Sequence, residues 1–225
     1  MSAVATTGCT AETARCAHAR NYRRELPDCC RQHLVDISRK VAAAFDTHGV
    51  TYWMDYGTLL GAVRNPLTTW ADYPWLPQEG RPPGPLAPGV IPHDKDADWG
   101  ALLSEWGEAV AALRQYCPDL DVTERHSRGM LKIRVSSSNH TNLDIFFWLQ
   151  RPGPTGVLMA RKNYVMALDR FKGRHFDRAD LFPLTRIEWE GLSLPAPRDP
   201  AAFCEFRYGP NWRTPIAANN DGVGR

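Results

Sequence analysis

From residue 28 onward the chain alternates between two hydrophobic periods, and the switches mark its elements. Cys30, Leu34, Ile37, Val41, Ala44 and Phe45 recur at steps of three and four, which predicts a helix from Asp28 to His48 closed by Gly49. Val50 to Tyr56 is β-rich and reads as a strand; Gly57 breaks it, and Thr58 to Arg64 reads as a short helix opening from that turn. Leu103, Trp106, Val110, Leu113 and Cys117 share one helical face, so a second long helix is expected over Gly100 to Cys117, stopped by Pro118. Met130 to Ser136 and Asn142 to Leu149 read as strands joined by a polar turn, hence a hairpin. Another hairpin is expected over Ile187 to Leu194 around Glu190-Gly191, and Asp199-Pro200 is a good cap and first-turn pair for a helix running to about Tyr208.

This alternation of helices and strands describes an α/β (α+β) domain over residues 27–215, between a weakly structured lead-in (1–26) and a polar tail (216–225). One stretch departs from it. Residues 65–89 hold seven prolines, three glycines and two exposed-looking tryptophans, Trp70 and Trp75, and read as an insertion or lid loop. A Pro-rich partner-binding segment is the structural alternative, without a convincing repeat behind it.

Composition removes several functions. A net charge of +2 leaves no electrostatic footprint for nucleic acid. No run approaches the length of a membrane span, and the first twenty residues carry no apolar leader, so cytoplasmic is the default compartment. Asn139-His140-Thr141 is a glycosylation sequon and would matter in a secretory compartment. The six cysteines have no C-x-x-C spacing, which argues against zinc; free thiols are expected, with one of Cys29 and Cys30 facing the core.

Three segments carry candidate chemistry. Asp94, Asp96 and Asp98 fall on alternate residues, so an extended chain would place all three on one face. Such crowding is unfavourable unless a hard cation such as Mg²⁺ or Mn²⁺ takes the oxygens; the bland reading is a solvated acidic loop. Asp144 lies on a strand apolar on both faces, where an ionised carboxylate needs a metal or a partner such as Lys132 or Arg134 next door. Gly57, Thr58 and Arg64 stand at a strand–helix junction whose N–H groups, hydroxyl and guanidinium could hold phosphate, although plain architecture gives the same pattern. Lys132 and Arg134 could neutralise phosphate or form a solvated strand face. His93, beside the acids, reads as a ligand, a proton carrier or packing, and Arg161-Lys162 as surface charge or a substrate contact.

In order, these segments resemble the nucleotidyltransferase superfamily and, more closely, its LicD/fukutin branch. Tyr52-Trp53-Met54-Asp55-Tyr56-Gly57-Thr58-Leu59-Leu60-Gly61-Ala62-Val63-Arg64 is similar to that branch's opening motif. Ile91-Pro92-His93-Asp94-Lys95-Asp96-Ala97-Asp98 resembles its I-P-W-D-x-D-x-D, with His93 in the usual Trp position. Phe206-Arg207-Tyr208-Gly209-Pro210-Asn211-Trp212-Arg213-Thr214-Pro215 resembles its C-terminal Y-G-x-x-W-x-x-P, and Arg207, Tyr208 and Trp212 are expected to pack the last helix onto the core. The insertion 65–89 departs from the branch, where the first motif's Arg stands close to the second.

The resemblance implies a nucleotidyltransferase-like fold with a mixed central sheet flanked by helices. It also implies transfer of a phosphorylated alcohol, phosphocholine or polyol phosphate, from a CDP-linked donor to a sugar or glycan hydroxyl, in the Golgi or secretory pathway as the alternative compartment. Asp96, Asp98 and Asp144 are then catalytic metal ligands for Mg²⁺ or Mn²⁺, with Asp94 a further ligand or a support, and Asp144 a candidate for taking the acceptor's proton. Gly57, Thr58, Arg64, Lys132 and Arg134 become substrate-binding residues. Two rival readings share the fold: nucleotidyl transfer from an NTP with pyrophosphate release, and an inactive binding or scaffold module.

Overall fold

The computed structural model describes residues 10–13, 25–150, 158–160 and 177–217. Most of the lead-in, Cys9, Cys16, Arg161, Lys162 and tail residues 218–225 lie outside the described residues. Helix α1 (Asp28–His48) takes the expected bounds, ending where Gly49 turns left-handed and its N–H donates to Phe45 O. It leads into β1 (Tyr52–Met54), shorter than expected because Asp55 leaves the strand to cap α2 (Tyr56–Arg64).

Strand β2 (Asp96–Leu102) pairs antiparallel with β1 and parallel with β5 (Asn142–Gln150). Beyond β5 come β4 (Met130–Arg134) and β3 (Asp121–Arg125), both antiparallel, while β6 (Leu158–Ala160) pairs with the far end of β5. The sheet order β1-β2-β5-β4-β3 is therefore mixed, as expected. Alternation sorts its two faces. Ala97, Trp99 and Ala101 of β2, Leu143, Ile145 and Phe147 of β5, and Leu131 and Ile133 of β4 are fully buried core residues. Against this core stand α1 and α3 (Trp106–Tyr116). The other face carries Asp96, Asp98, Asn142, Asp144, Lys132 and Arg134. Short helix α4 (Arg178–Leu181), hairpin β7 (Thr185–Trp189) with β8 (Leu192–Ala196), and α5 (Pro200–Tyr208) complete the described chain. As expected, the hairpin turns at Glu190-Gly191, and Asp199 caps α5 by accepting from Ala202 N–H.

Three expectations need correction. Gly100 to Leu102 belong to β2, and α3 starts only at Trp106, after a 3-10 turn over Leu103–Glu105. The cause is packing: the Trp53 indole presses on the strand at Gly100, where a Cβ would stand 2.3 Å from it. Strand β3 was not expected, since Asp121-Val122-Thr123-Glu124-Arg125 has no apolar run and is half-buried throughout. The tryptophans of segment 65–89 are less exposed than expected, because the segment folds onto the core. Asn65 ties its two ends together by donating to Gly89 O (3.2 Å) and Val90 O (3.1 Å), and Tyr73 and Leu76 enter the core. Trp70 and Trp75 are half-buried, and Trp70 lies under the Arg81 guanidinium, 3.7 Å from its ring centre.

Of the described cysteines, Cys117 and Cys204 are buried free thiols, and Cys30 rather than Cys29 faces the core. The sequon's Asn139 is buried, its amide donating to Thr10 O. Among the described residues no helix is long and apolar enough to cross a membrane. Because Trp53 is fully buried and cannot yield, Gly100→Ala should destabilise the fold by about 1–3 kcal/mol in urea unfolding. A midpoint equal to that of the unsubstituted chain would show that the indole does not hold the strand.

Candidate metal centre

The parallel register of β2 with β5 sets Asp96 opposite Asn142 and Asp98 opposite Asp144. Oxygens of Asp96, Asp98 and Asp144 consequently lie within 4.8 Å of one another. The third acid of the triplet differs from expectation. Asp94 donates its N–H to Ile91 O in a turn, and the strand begins only at Asp96, so Asp94 reaches the site from a turn outside the strand, where its charge bears on Asp96 and Asp98. Its Oδ1 accepts from Lys95 N–H (2.9 Å), and its Oδ2 lies 2.4 Å from where a Cβ of residue 57 would be. Gly57 is thus required by the close approach of Asp94 to the start of α2.

The first turn of α2 also holds Asp98. Asp55 N–H donates to Asp98 O (3.0 Å), and Asp98 N–H donates to Thr58 Oγ1 (2.7 Å). Thr58 is buried, so the contact it makes is to the acid strand. On the other side of the cluster, Lys132 Nζ sits 2.7 Å from Asp144 Oδ1 and 2.9 Å from Oδ2, and Asn142 Nδ2 donates to Oδ1 (3.0 Å). Arg134 is not brought to the acids: its Nη1 pairs with Asp121 (2.9 Å) and Thr123 (3.3 Å) on β3. Arg64, buried in the last turn of α2, exerts its charge on Asp94 and His93, and among the described residues its Nε has no hydrogen-bond partner.

His93 packs between Tyr73 and Trp75 of the insertion, its ring 5.8 Å from the Trp75 ring. Burial, with the Arg64 and Lys95 charges, pushes it down to about 4, so it stays neutral at pH 7 and fills an aromatic site. Sequence reasoning missed Asp55 and its pairing with Arg207. Asp55 is fully buried, accepts from Tyr56 N–H (2.8 Å), and meets Arg207 Nη2 at 2.6 Å. Its place directly after an apolar strand and before a helix was the available signal for a capping acid.

The electrostatics of the cluster suit a cation. Burial first, and then the neighbouring carboxylates, raise Asp98 well above the usual carboxylate range. The same causes raise Asp96 to about 8, against the pull of Lys132 and Asn142. Burial raises Asp144 against the pull of Lys132, and raises Asp94 to about 6. Four acids so placed cannot all ionise comfortably in protein alone. Carboxylate oxygens are the donors that Mg²⁺ and Mn²⁺ prefer, and a divalent charge would remove the repulsion, so these residues fit such an ion.

The chain is similar to several known proteins. Ribitol 5-phosphate transferase FKRP of Homo sapiens is 27% identical, over 90% of this chain and 38% of that protein; its Mus musculus counterpart is 26% identical over the same shares. The chain therefore spans well under half the length of these relatives. Uncharacterized protein RP689 of Rickettsia prowazekii (strain Madrid E) is 25% identical over 74% of this chain and 52% of its own. Among solved structures, lincosamide antibiotic adenylyltransferase LnuA in its lincomycin-bound form overlaps with a TM-score of 0.40 at 11% identity, covering 80% of this chain and 84% of that one. The ANT(2")-Ia complex with adenylyl-2"-tobramycin gives 0.43 at 14%, covering 72% and 68%. The family described as LicD/FKTN/FKRP, nucleotidyltransferase domain, matches residues 87–199, which include all four acids, and the chain belongs to it.

Without metal, folded chains hold the protons of the raised carboxyls more tightly than unfolded chains do. Stability should then fall as pH rises from about 4 through about 8, the window set by Asp94 and Asp96. Thermal unfolding in chelator at about pH 5 and about pH 8 checks this, with the lower Tm expected at the higher pH and Mn²⁺ recovering more there. A metal-free Tm that rises over that range would refute the charge crowding.

Proposed function

We propose that this family member is a metal-dependent transferase that moves a phosphorylated alcohol from a CDP-linked donor to a sugar or glycan hydroxyl. The observation that carries the reading is the convergence of Asp96, Asp98 and Asp144 inside the family's domain. The relatives named ribitol 5-phosphate transferase favour a polyol phosphate over phosphocholine as the transferred group.

Asp96, Asp98 and Asp144 would hold Mg²⁺ or Mn²⁺, which when bound screens the donor diphosphate and stabilises the leaving nucleotide. In the reaction the acceptor oxygen bonds to phosphorus, the bond from phosphorus to the CMP oxygen breaks, and CMP leaves with the electron pair. The acceptor's proton needs a base at the site. Asp144 is suited to that task, since burial raises its proton affinity above that of an ordinary carboxylate. Gly57 would keep Asp94 close against the start of α2 beside the donor phosphates, Thr58 would hold the acid strand beneath them, and Arg64 would oppose their charge. Lys132 already faces Asp144 and is placed to meet phosphate charge; Arg134, paired with Asp121, supports β4 from its outer edge. Segment 65–89, folded over His93, would border the acceptor side.

The family's description as a nucleotidyltransferase domain favours one second reading, transfer from an NTP with pyrophosphate release. Products separate the two. Incubation with CDP-ribitol, Mg²⁺ and a glycan acceptor should release CMP, whereas pyrophosphate from an NTP would replace the first reading with the second. Asp98→Ala should cut transfer by at least about 100-fold, the equivalent of roughly 3 kcal/mol. Its metal-free Tm should hold or rise, because one repelling charge is gone. Near-normal turnover in a folded Asp98→Ala chain would sink the metal assignment.

A further inference from the structure

The C-terminal segment that resembles the family's last motif supplies none of the metal-centre carboxylates, yet one of its residues reaches them through a single intermediary. Arg207 projects from α5 to Asp55, 152 positions earlier, and their side chains are 8% and 0% exposed. A carboxylate so enclosed is costly unless paired, and the Arg207 guanidinium is its charged partner. Around that guanidinium stand the rings of Tyr56 (4.2 Å to the ring centre), Phe203 (5.3 Å) and Trp148 (5.5 Å), which fix its plane.

Asp55 in turn controls the chain that grips Asp98. Its carboxylate caps α2 at Tyr56 N–H, and its own N–H donates to Asp98 O. Three residues on, Thr58 accepts from Asp98 N–H. Tyr56, between them, has a φ of +40, a conformation unfavourable for a tyrosine and sustained by the contacts on either side. Both backbone polar groups of Asp98 are thus held by the turn that Arg207 pins. Packing alone would not call for charge here, since a buried ion pair is commonly no more stable than apolar residues of the same shape.

We propose that Arg207 is a positioning residue that, through Asp55, fixes the backbone of Asp98 and thereby sets the cation affinity of the carboxylate cluster. The proposal rests on the metal-centre reading, and its test separates the two. Mn²⁺ alone is titrated calorimetrically into the unsubstituted chain, Arg207→Lys, the double variant Asp55→Asn with Arg207→Gln, and the control Arg31→Gln. The double variant removes both charges together, so no buried charge is stranded. It should stay folded while its Mn²⁺ Kd weakens by about 10-fold, the usual scale for residues that orient metal ligands. Arg207→Lys keeps the charge but loses the planar fork, and should weaken Mn²⁺ binding by a smaller factor. Arg31→Gln breaks the Arg31–Glu190 pair between α1 and the β7–β8 turn; it should lower Tm and leave the Kd unchanged.

An unchanged Kd in the folded double variant, or in Arg207→Lys if the double variant does not fold, overturns the proposal. Equal weakening in Arg31→Gln overturns it too, because the effect would then be general loosening. Failure of the unsubstituted chain to bind Mn²⁺ would be a different result, overturning the metal centre itself.

Discussion

The structure turns on one pairing, the parallel register that sets Asp98 of β2 against Asp144 of β5. Parallel neighbours at the centre of a sheet are ordinarily apolar on both sides. Here one face is wholly apolar and carries the core, so register cannot slip by one residue without driving carboxylates into that core. The hydrophobic face thereby enforces the acidic one. Trp99, Ile145 and Leu131 fix the strands, and the acids on the alternate positions follow.

The surroundings of the cluster offset its repulsion from separate directions. Lys132 and Asn142 come from the β4–β5 side, Arg64 from the end of α2, and Gly57 gives Asp94 room against the backbone. The raised proton affinities of Asp96, Asp98 and Asp144 show that this compensation is incomplete, the condition expected of a site completed by a cation. Beneath it the Asp55–Arg207 pair joins the first turn of α2 to the last helix. The opening and closing motifs of the chain meet there, although 152 positions separate the two residues.

Much of this was legible in the sequence. The α1 stripe and its glycine stop, the β4–β5 hairpin and the odd charge of Asp144 on an apolar strand each follow from local rules, and each holds. What the sequence hid depends on contacts between distant segments. Gly100 reads as a helix opener until Trp53 is laid across it, and β3 is invisible because a half-buried edge strand needs no apolar run. The even spacing of Asp94, Asp96 and Asp98 suggested one extended face, but the Ile91–Asp94 turn brings the first of them to the site from outside the strand. Arg134 alternates with Lys132 as a phosphate ligand should, yet Asp121 on the unexpected strand claims it. The insertion's tryptophans looked exposed because proline-rich composition gives no sign that Asn65 closes the loop onto the core.

The most direct test of the cation site is anomalous diffraction from crystals of this chain soaked in Mn²⁺. A single strong peak should lie among Asp96, Asp98 and Asp144, at about 2.0–2.2 Å from their oxygens. Lys132 Nζ should have withdrawn from at least one oxygen of Asp144. A peak bound elsewhere, or an intact Lys132–Asp144 pair beside a metal-free cluster in fully soaked crystals, would contradict the assignment.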